Sequence, residues 1–544
     1  MKFHPSNFFQ LPLATIVLFL SFSCNKDSDL LAEYVVENPE SLLTNDVVIT
    51  LSNNPIIIKP LSNDKFDKPE EVVITEVTPP KMGTAEVQGD NTVLYTPNAD
   101  ESGTDEFDYT TTVTNPDSSV STATGSISVT VTPTSKTPTD PNAVNFSKYG
   151  AVGDGVTDDT AALKKAFENE TNLISDANKT YLISSTLYLN KNMINTIDFN
   201  GSTITRNAKV HFMIDIDKRK YGNTLTTIRN LILDGNDKGG SGIDIASRVH
   251  LQNVEIKDII HNNANGIRSL IYNLPGCYGQ WVFDNVDIHD LEPVGNDGNY
   301  GNDLGAAHGW IASVQQIPSQ TTQIVYKNSS LHSIWGEDAG AITTFSAGLD
   351  ISNTPVSFWF ENINVADAQR RAVKGFTGNQ TWINSTFTSA AYDNPNIIRT
   401  MPSAGLFVIG PGSSSTGGSN NVICGCTFQG HPDDPFDSFY TRVIMTGDLG
   451  PSGLKISNST FTGANPQSHP DNGFTAFGPN LKYLSIDNST FGTQNGIRLV
   501  GNFADYAHIS TNNKYLDGKT ATFARTSVSY TTPTIPFVPC PTIE

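Results

Sequence analysis

The sequence predicts an all-β chain in which a small antiparallel β-sandwich precedes a long parallel β-helix. Three observations carry that prediction. Turn formers are abundant and charge is sparse, with 43 Gly, 30 Pro and only 16% charged residues, a composition suited to strands and turns. Short alternating apolar runs fill residues 46–133. After Asn200 two short patterns recur at irregular intervals. At 544 residues the chain exceeds one ordinary core, so two or more domains are expected.

The first residues read as a targeting segment. Lys2 and His4 precede an apolar run from Leu11 to Phe22, too short to span a bilayer comfortably. The string Leu20-Ser21-Phe22-Ser23-Cys24 resembles a bacterial lipoprotein lipobox, with its leucine four residues before the cysteine instead of three. The resemblance implies that Cys24 is lipidated and becomes the mature N-terminus. Asn25-Lys26-Asp27-Ser28-Asp29 resembles the surface-export signals of Bacteroidetes-type lipoproteins. A plain secretory peptide with an incidental cysteine is the alternative. Either reading takes the protein out of the cytoplasm, and the first anchors it by lipid to the outer membrane, exposed at the surface. Residues 1–24 are then the signal peptide and 25–44 a tether.

Residues 45–133 carry the sandwich. Its expected strands include Val47-Val48-Ile49-Thr50-Leu51, Pro55-Ile56-Ile57-Ile58, Val72-Val73-Ile74-Thr75 and Ile127-Ser128-Val129-Thr130-Val131, separated by turn residues. The stretch from Gly83-Thr84-Ala85 through Tyr95-Thr96-Pro97 to Gly103-Thr104-Asp105-Glu106-Phe107 resembles the cadherin-like, immunoglobulin-fold repeats of bacterial surface proteins. The resemblance implies a spacer or accessory module. Residues 134–142, rich in Pro and Thr, form a stiff linker.

The large domain is assigned to 143–530, with 531–544 as a tail. Gly153-Asp154-Gly155-Val156-Thr157-Asp158-Asp159-Thr160 precedes a helical pattern from Ala161 to Phe167, which Thr157 or Asp158 can cap. This string resembles the N-terminal module of the pectate lyase superfamily, whose fold is the right-handed parallel β-helix. Lyases, polygalacturonase-type glycoside hydrolases and phage tailspikes share it.

The repeats supply the independent argument. Apolar-x-Asn-x-x-apolar centres on Asn230, Asn253, Asn285, Asn328, Asn362, Asn384, Asn458, Asn488 and Asn513, with Gly425 once in that place. A second pattern, small-Gly-apolar, gives Asn265-Gly266-Ile267, His308-Gly309-Trp310 and Asn495-Gly496-Ile497, and Ala372-Val373-Lys374 in a variant form. Variable spacing around fixed motifs means a constant coil with loops inserted where tolerated. A column of asparagine amides, donating and accepting, satisfies turn backbone between coils. Of the later cysteines, Cys277, Cys424, Cys426 and Cys540, the pair Cys424 and Cys426 is expected to share one strand face. All four read as structural, with no bridge assigned and no CxxC zinc pattern.

Candidate chemistry falls on the second repeat. Aligned on it, His308, Glu337, Asp338, Arg371 and Lys374 take similar positions on three successive coils, which stack about 4.8 Å apart. The formal charge of -21 argues against nucleic acid and disfavours an acidic ligand except where cations gather. Arg370, Arg371 and Lys374 are the densest such gathering. Strand alternation puts Arg371 and Lys374 on opposite faces, unless a turn converges them. A lyase acting on a uronate-containing glycan needs a cation on the carboxylate, a base for the C5 proton and an acid for the leaving oxygen. Lys374 or His308 fits the base and Arg371 the clamp. Surface salt bridging is the plain alternative. A hydrolase would need two carboxyl groups, with Glu337, Asp338 and Asp303 as candidates. Ala307-His308-Gly309 and Arg371-Ala372-Val373-Lys374 only partly echo the polygalacturonase motifs, which puts that activity in doubt.

Arg370 and His289 are candidate substrate contacts, and Trp310, Trp335 and Tyr300 candidate sugar platforms. The loop 296–303 is acidic and glycine-rich without EF-hand spacing. Asp297 and Asp303 are its candidate calcium ligands, though the expected chemistry requires no cofactor. His431, Asp433, Asp434 and Asp437 form a second-best site. The sequence thus points to a polysaccharide-degrading enzyme, first a lyase on an acidic glycan, second a glycoside hydrolase, with a non-catalytic glycan-binding protein as the third reading.

Overall fold

The structure, a computed structural model, describes residue 43 and most of 45–132 and 141–389, short stretches such as 65–71, 115–119, 293–305, 336–339 and 369–370 excepted. Beyond 389 it describes segments 407–409, 421–429, 452–462, 475–477, 481–492, 497–500, most of 507–525, and residue 540. Glu337, Asp338, Arg370, Tyr300, Asp297, Asp303, Cys24 and the segment 431–437 lie outside the described residues. The chain is all-β, a right-handed parallel β-helix preceded by a small β-sandwich.

The sandwich has seven strands: Asp46–Leu51, Ile56–Ile58, Val72–Val77, Gly83–Val87, Val93–Pro97, Gly103–Thr114 and Val120–Thr132. The first, third, sixth and seventh form one sheet and the other three the second. One pairing departs from the antiparallel expectation, because Asp46–Leu51 runs parallel to Val120–Thr132. Alternation buries Val48, Ile56, Tyr95, Phe107, Tyr109, Ile127 and Val129 between the sheets. The Tyr95 hydroxyl, carried into that core, donates to Asp105 at 2.9 Å. Asp105 also accepts from the backbone of Lys81 and Met82, so this buried acid is fully engaged.

In the β-helix, Thr226–Lys238, Val249–Ile260, Gly279–Glu292, Thr322–Ile334 and Val356–Ala368 stack parallel in a twenty-stranded sheet. Each strand bends at its asparagine. Asn230, Asn253, Asn285, Asn328, Asn362, Asn384, Asn458 and Asn488 all hold φ between 46° and 55°, and Gly425, in the same place, φ 63°. Asparagine tolerates this left-handed conformation and glycine adopts it freely. The amides form a column, bonding one another and not turn backbone: Asn253 donates to Asn230 at 3.0 Å, Asn285 to Asn253 at 2.8 Å and Asn362 to Asn328 at 2.9 Å, while Asn328 interrupts it by donating to Asp284 at 2.9 Å. The last corner is Asn512 (φ 54°), not Asn513. Asn513 is the next residue, turned inward, where its amide bonds Ser489 N and Ile486 O.

The corner divides the long strands into a first face before it and a second after it. A third face is an eight-stranded sheet that includes Phe212–Ile216, Ser241–Ile245, Asn263–Ile271, Ala306–Val314, Gly340–Phe345 and Arg371–Gly375. The small-Gly motif explains how the third face closes on the others. A Cβ on Gly266 would lie 2.5 Å from Ile288 and one on Gly309 2.6 Å from Leu331. Core side chains from the opposite wall fill that space. In later coils the interior is an aromatic stack in which Phe387, Phe428, Phe461 and Phe491 succeed one another at 5.2, 4.8 and 5.0 Å. Each buried ring stabilises the coil by about 2–3 kcal/mol.

The left-handed corner corrects the reading of the cysteines. It lies between Cys424 and Cys426 at Gly425, so alternation fails there. Cys426 packs in the core, while Cys424 is disulfide-bonded to Cys540, 116 residues away. The bridge was invisible in spacing because only the coil brings the two together.

Helix Thr160–Asn169 follows the Gly-Asp motif, with Asp159 at its N-cap position and not Thr157 or Asp158. Asp154 accepts from Val156 and Thr157 N. Asp158 bonds Thr160 N and Ser184 Oγ, and Asp159 accepts from Val152 and Gly153 N. These acids organise the helix start. The sandwich docks on the first face. There Leu94 and Ile57 meet Val282, Val325, Trp359 and Ile383, and Lys327 Nζ donates to Asn54.

Candidate active site on the third face

Parallel stacking sets the site's order. Along the outward side of the third face, Tyr188, Asp215, Asp244, Arg268, Ile311, Thr343 and Lys374 are successive register partners. A second outward row runs Asn265, His308, Gly340, Arg371. The expected alignment of His308 with Arg371 is therefore present in the register, with Gly340 between them. Strand alternation misplaced Lys374. Ala372 and Val373 both face the core, so Arg371 and Lys374 emerge on the same outer side. Lys374 Nζ lies 5.7 and 5.5 Å from the Phe345 and Phe376 rings. His308, nearly buried, shares a 3.0 Å hydrogen bond between Nδ1 and Thr343 Oγ1.

Two of the expected sugar platforms and one contact fall elsewhere. Trp310 is 0% exposed, packs against Phe283 and Tyr326 and donates Nε1 to Ser269. Trp335 is 3% exposed. Trp310 is interior because Gly309 and the residue after it turn inward together. His289 sits on the second face, within Gly279–Glu292, and does not join His308.

The residues that sequence reasoning passed over form the most chemically distinctive cluster. Asp215 and Asp244 are direct register partners. Arg268, one coil on, holds both oxygens of Asp244, Nε at 2.8 Å and Nη2 at 2.7 Å, with its guanidinium 4.5 Å above the Phe212 ring. Asp217, two residues after Asp215, pairs with Arg219 at 3.0 Å, and Arg219 lies 4.2 Å over the Tyr272 ring. Between them Lys218 turns inward and donates to Ile194 O at 2.8 Å and Thr226 Oγ1 at 2.7 Å, which anchors this strand end. Burial, then the charges of Asp244 and Asp217, push the Asp215 carboxyl up to about 6, against the pull of Arg268 and Arg219. Tyr188, 48% exposed, lies one coil before Asp215 and offers an open ring to a sugar face. The signal available in the sequence was the repeated Ile214-Asp215-Ile216 and Ile243-Asp244-Ile245, which extends the second motif two periods upstream.

Such a row can bind a linear polar chain and move a proton within it. One carboxyl, pushed up to about 6, sits beside another held by arginine, the separation of roles that acid–base chemistry requires.

Comparison with known proteins matches one family, over the sandwich alone. A bacterial Ig domain family matches residues 38–132. No curated protein matches the chain. Among solved structures, the chain is similar to the Azotobacter vinelandii mannuronan C-5 epimerase AlgE4 A-module (TM-score 0.37, 14% identity, 70% of this chain and 99% of that one). It is similar also to the catalytic domain of a GH87 alpha-1,3-glucanase in complex with nigerose (TM-score 0.36, 13% identity, 80% and 74%). A third is bacteriophage CBA120 tailspike protein 3 (TM-score 0.27, 13% identity, 71% and 63%). At these scores the likeness carries no argument about chemistry.

Proposed function

We propose that this protein cleaves a polysaccharide in the groove of the third face, with Asp215 as general acid. The observation that carries this reading is the Asp215–Asp244 register pair, in which Asp215 is pushed up to about 6 while Arg268 grips its neighbour. In glycoside hydrolysis the protonated Asp215 gives its proton to the leaving glycosidic oxygen as the bond to the anomeric carbon breaks. Asp217, the more open of the two flanking acids (34% against 13% for Asp244), takes a proton from the attacking water. Asp244 stabilises the positive charge developing on the sugar ring.

The cations Arg219, Arg268, Arg371 and Lys374 gather along one side of a chain whose net charge is -21, which supports an acidic glycan. Elimination on a uronate is the second reading, supported by His308 and Arg371 sharing one outward row, two coils apart, with Lys374 on the same outer side. There Lys374 or His308 would take the C5 proton and Arg371 would hold the carboxylate. Calcium at Asp297 and Asp303 is a further proposal. Export with a lipid anchor at Cys24 fits the Cys424–Cys540 bridge, since disulfides persist in oxidising compartments.

The test is the full chain against a panel of neutral and acidic glycans, following reducing ends and unsaturated-uronate absorbance together. Reducing ends alone, abolished by Asp215→Asn and retained in Lys374→Ala, support hydrolysis. Both signals, abolished by Lys374→Ala, move the chemistry to the lyase. Retention of a glycan on an affinity gel with neither signal overturns catalysis in favour of binding.

A further inference from the structure

The second face carries a cluster that the groove does not use. Asp287, His289 and His332 present ligand atoms all within 4.8 Å of one another. The register produces this, because His289 and His332 are direct partners on adjacent coils, with parallel rings 4.8 Å apart. Glu255, from the coil before, faces them. His289 Nε2 lies 3.5 Å from Glu255 Oε1, and His332 Nε2 lies 3.5 Å from Asp287 Oδ1.

We propose that His289, His332, Asp287 and Glu255 form a binding site for a late first-row divalent ion of the zinc class. The donor chemistry selects the ion. Two imidazoles with carboxylates suit zinc, whereas calcium takes oxygen alone. The geometry suits it too. An ion at the usual zinc distances from a nitrogen and an oxygen 3.5 Å apart would subtend about 115°, close to tetrahedral. A supporting shell is present: His289 Nδ1 is 2.7 Å from Asp290 Oδ2, a contact that keeps the proton on Nδ1 and leaves Nε2 free to ligate. Ser330 Oγ donates to Asp287 Oδ1 at 2.5 Å and steadies that carboxylate. One competitor faces the site, Lys257 Nζ at 3.0 Å from Glu255 Oε1, and it must swing out when the ion binds. Three of the four side chains, Glu255, His332 and Asp287, are 32%, 39% and 44% exposed, so an ion can enter and the carboxylates can close the remaining distance. Such an ion would staple three consecutive coils, Val249–Ile260, Gly279–Glu292 and Thr322–Ile334.

The test uses the full chain, stripped by a chelator and titrated with zinc chloride by calorimetry, with cobalt(II) substitution read in the visible spectrum. One ion per chain, a tetrahedral cobalt spectrum and a zinc-dependent rise in Tm are expected. His289→Ala and His332→Ala should each weaken binding at least 100-fold, and Asp290→Asn about tenfold. His332→Gln, which keeps size and polarity, should fail like alanine while near-ultraviolet circular dichroism shows a native fold. Binding that survives both histidine substitutions, or no binding to the stripped chain, overturns the proposal.

Discussion

Asp215 and Asp244 occupy the same place on consecutive coils, and Arg268 on the next coil holds both oxygens of Asp244. The proposed chemistry rests on this stacking. Burial first, then the charge of Asp244, holds the Asp215 carboxyl above the usual carboxylate range, against the pull of Arg268.

If Asp215 is the acid, cleavage should require its proton. Activity should therefore hold below pH 6 and fall as pH rises through about 6. The pH profile of kcat/KM checks this, and Asp215→Asn should lower it on the order of 10²–10⁴-fold below pH 6 and remove the fall through about 6. An alkaline limb that does not depend on Asp215 would assign the proton to another group.

The same shift has a stability consequence. The folded Asp215 keeps a proton that the unfolded chain has already lost above pH 4, so its contribution declines as pH rises from about 4 to about 6. Asp215→Asn should then stabilise the fold at pH 7, on the order of 1–2 kcal/mol after allowing for partial exposure, and leave it unchanged at pH 4. Thermal unfolding at the two pH values makes the comparison.

Asn285 holds φ 55° and donates to Asn253 at 2.8 Å. Asn285→Ala loses both the tolerated backbone and the amide and should cost about 2 kcal/mol. Asn285→Gly loses only the amide, as Gly425 does naturally, and should cost about 1 kcal/mol. Urea melts that rank the two variants the other way would contradict the corner argument.

Leu94 belongs to the docking patch and not to the sandwich core. Leu94→Asp should leave the sandwich folded but undock it, turning one calorimetric transition into two. It should also expose Trp359 and Val325 to a hydrophobic dye. A single unshifted transition would mean the patch contributes little.

Cys540→Ser opens a 116-residue loop. The loss should approach about 4–5 kcal/mol if unfolding is two-state. The Tm of the variant, with and without reductant, measures it, and only the parent protein should respond to reductant.

The motifs made the coil legible because each answers a local demand. Asn230 and its successors supply a left-handed corner, and Gly266 and Gly309 make room for Ile288 and Leu331. The site was less legible for three reasons. Alternation is interrupted where Ala372 and Val373 both turn inward, so Lys374 was assigned to the wrong side. Trp310 reads as a sugar platform until the preceding glycine draws it into the core. Asp215 and Asp244, 29 residues apart in the numbering, resemble ordinary outward strand acids until stacking joins them to Arg268. The Cys424–Cys540 bridge likewise exists only once the coil is wound.

The sandwich's seat on the first face has a mechanical meaning. Strands of a β-helix lie across its long axis, so a pull on a terminal coil would peel one ladder at a time. A load arriving through the sandwich meets Val282, Val325, Trp359 and Ile383, which belong to four neighbouring coils. It is shared sideways among them as shear. Under such a load the coils that seat the sandwich would strain collectively before the helix could unravel from an end.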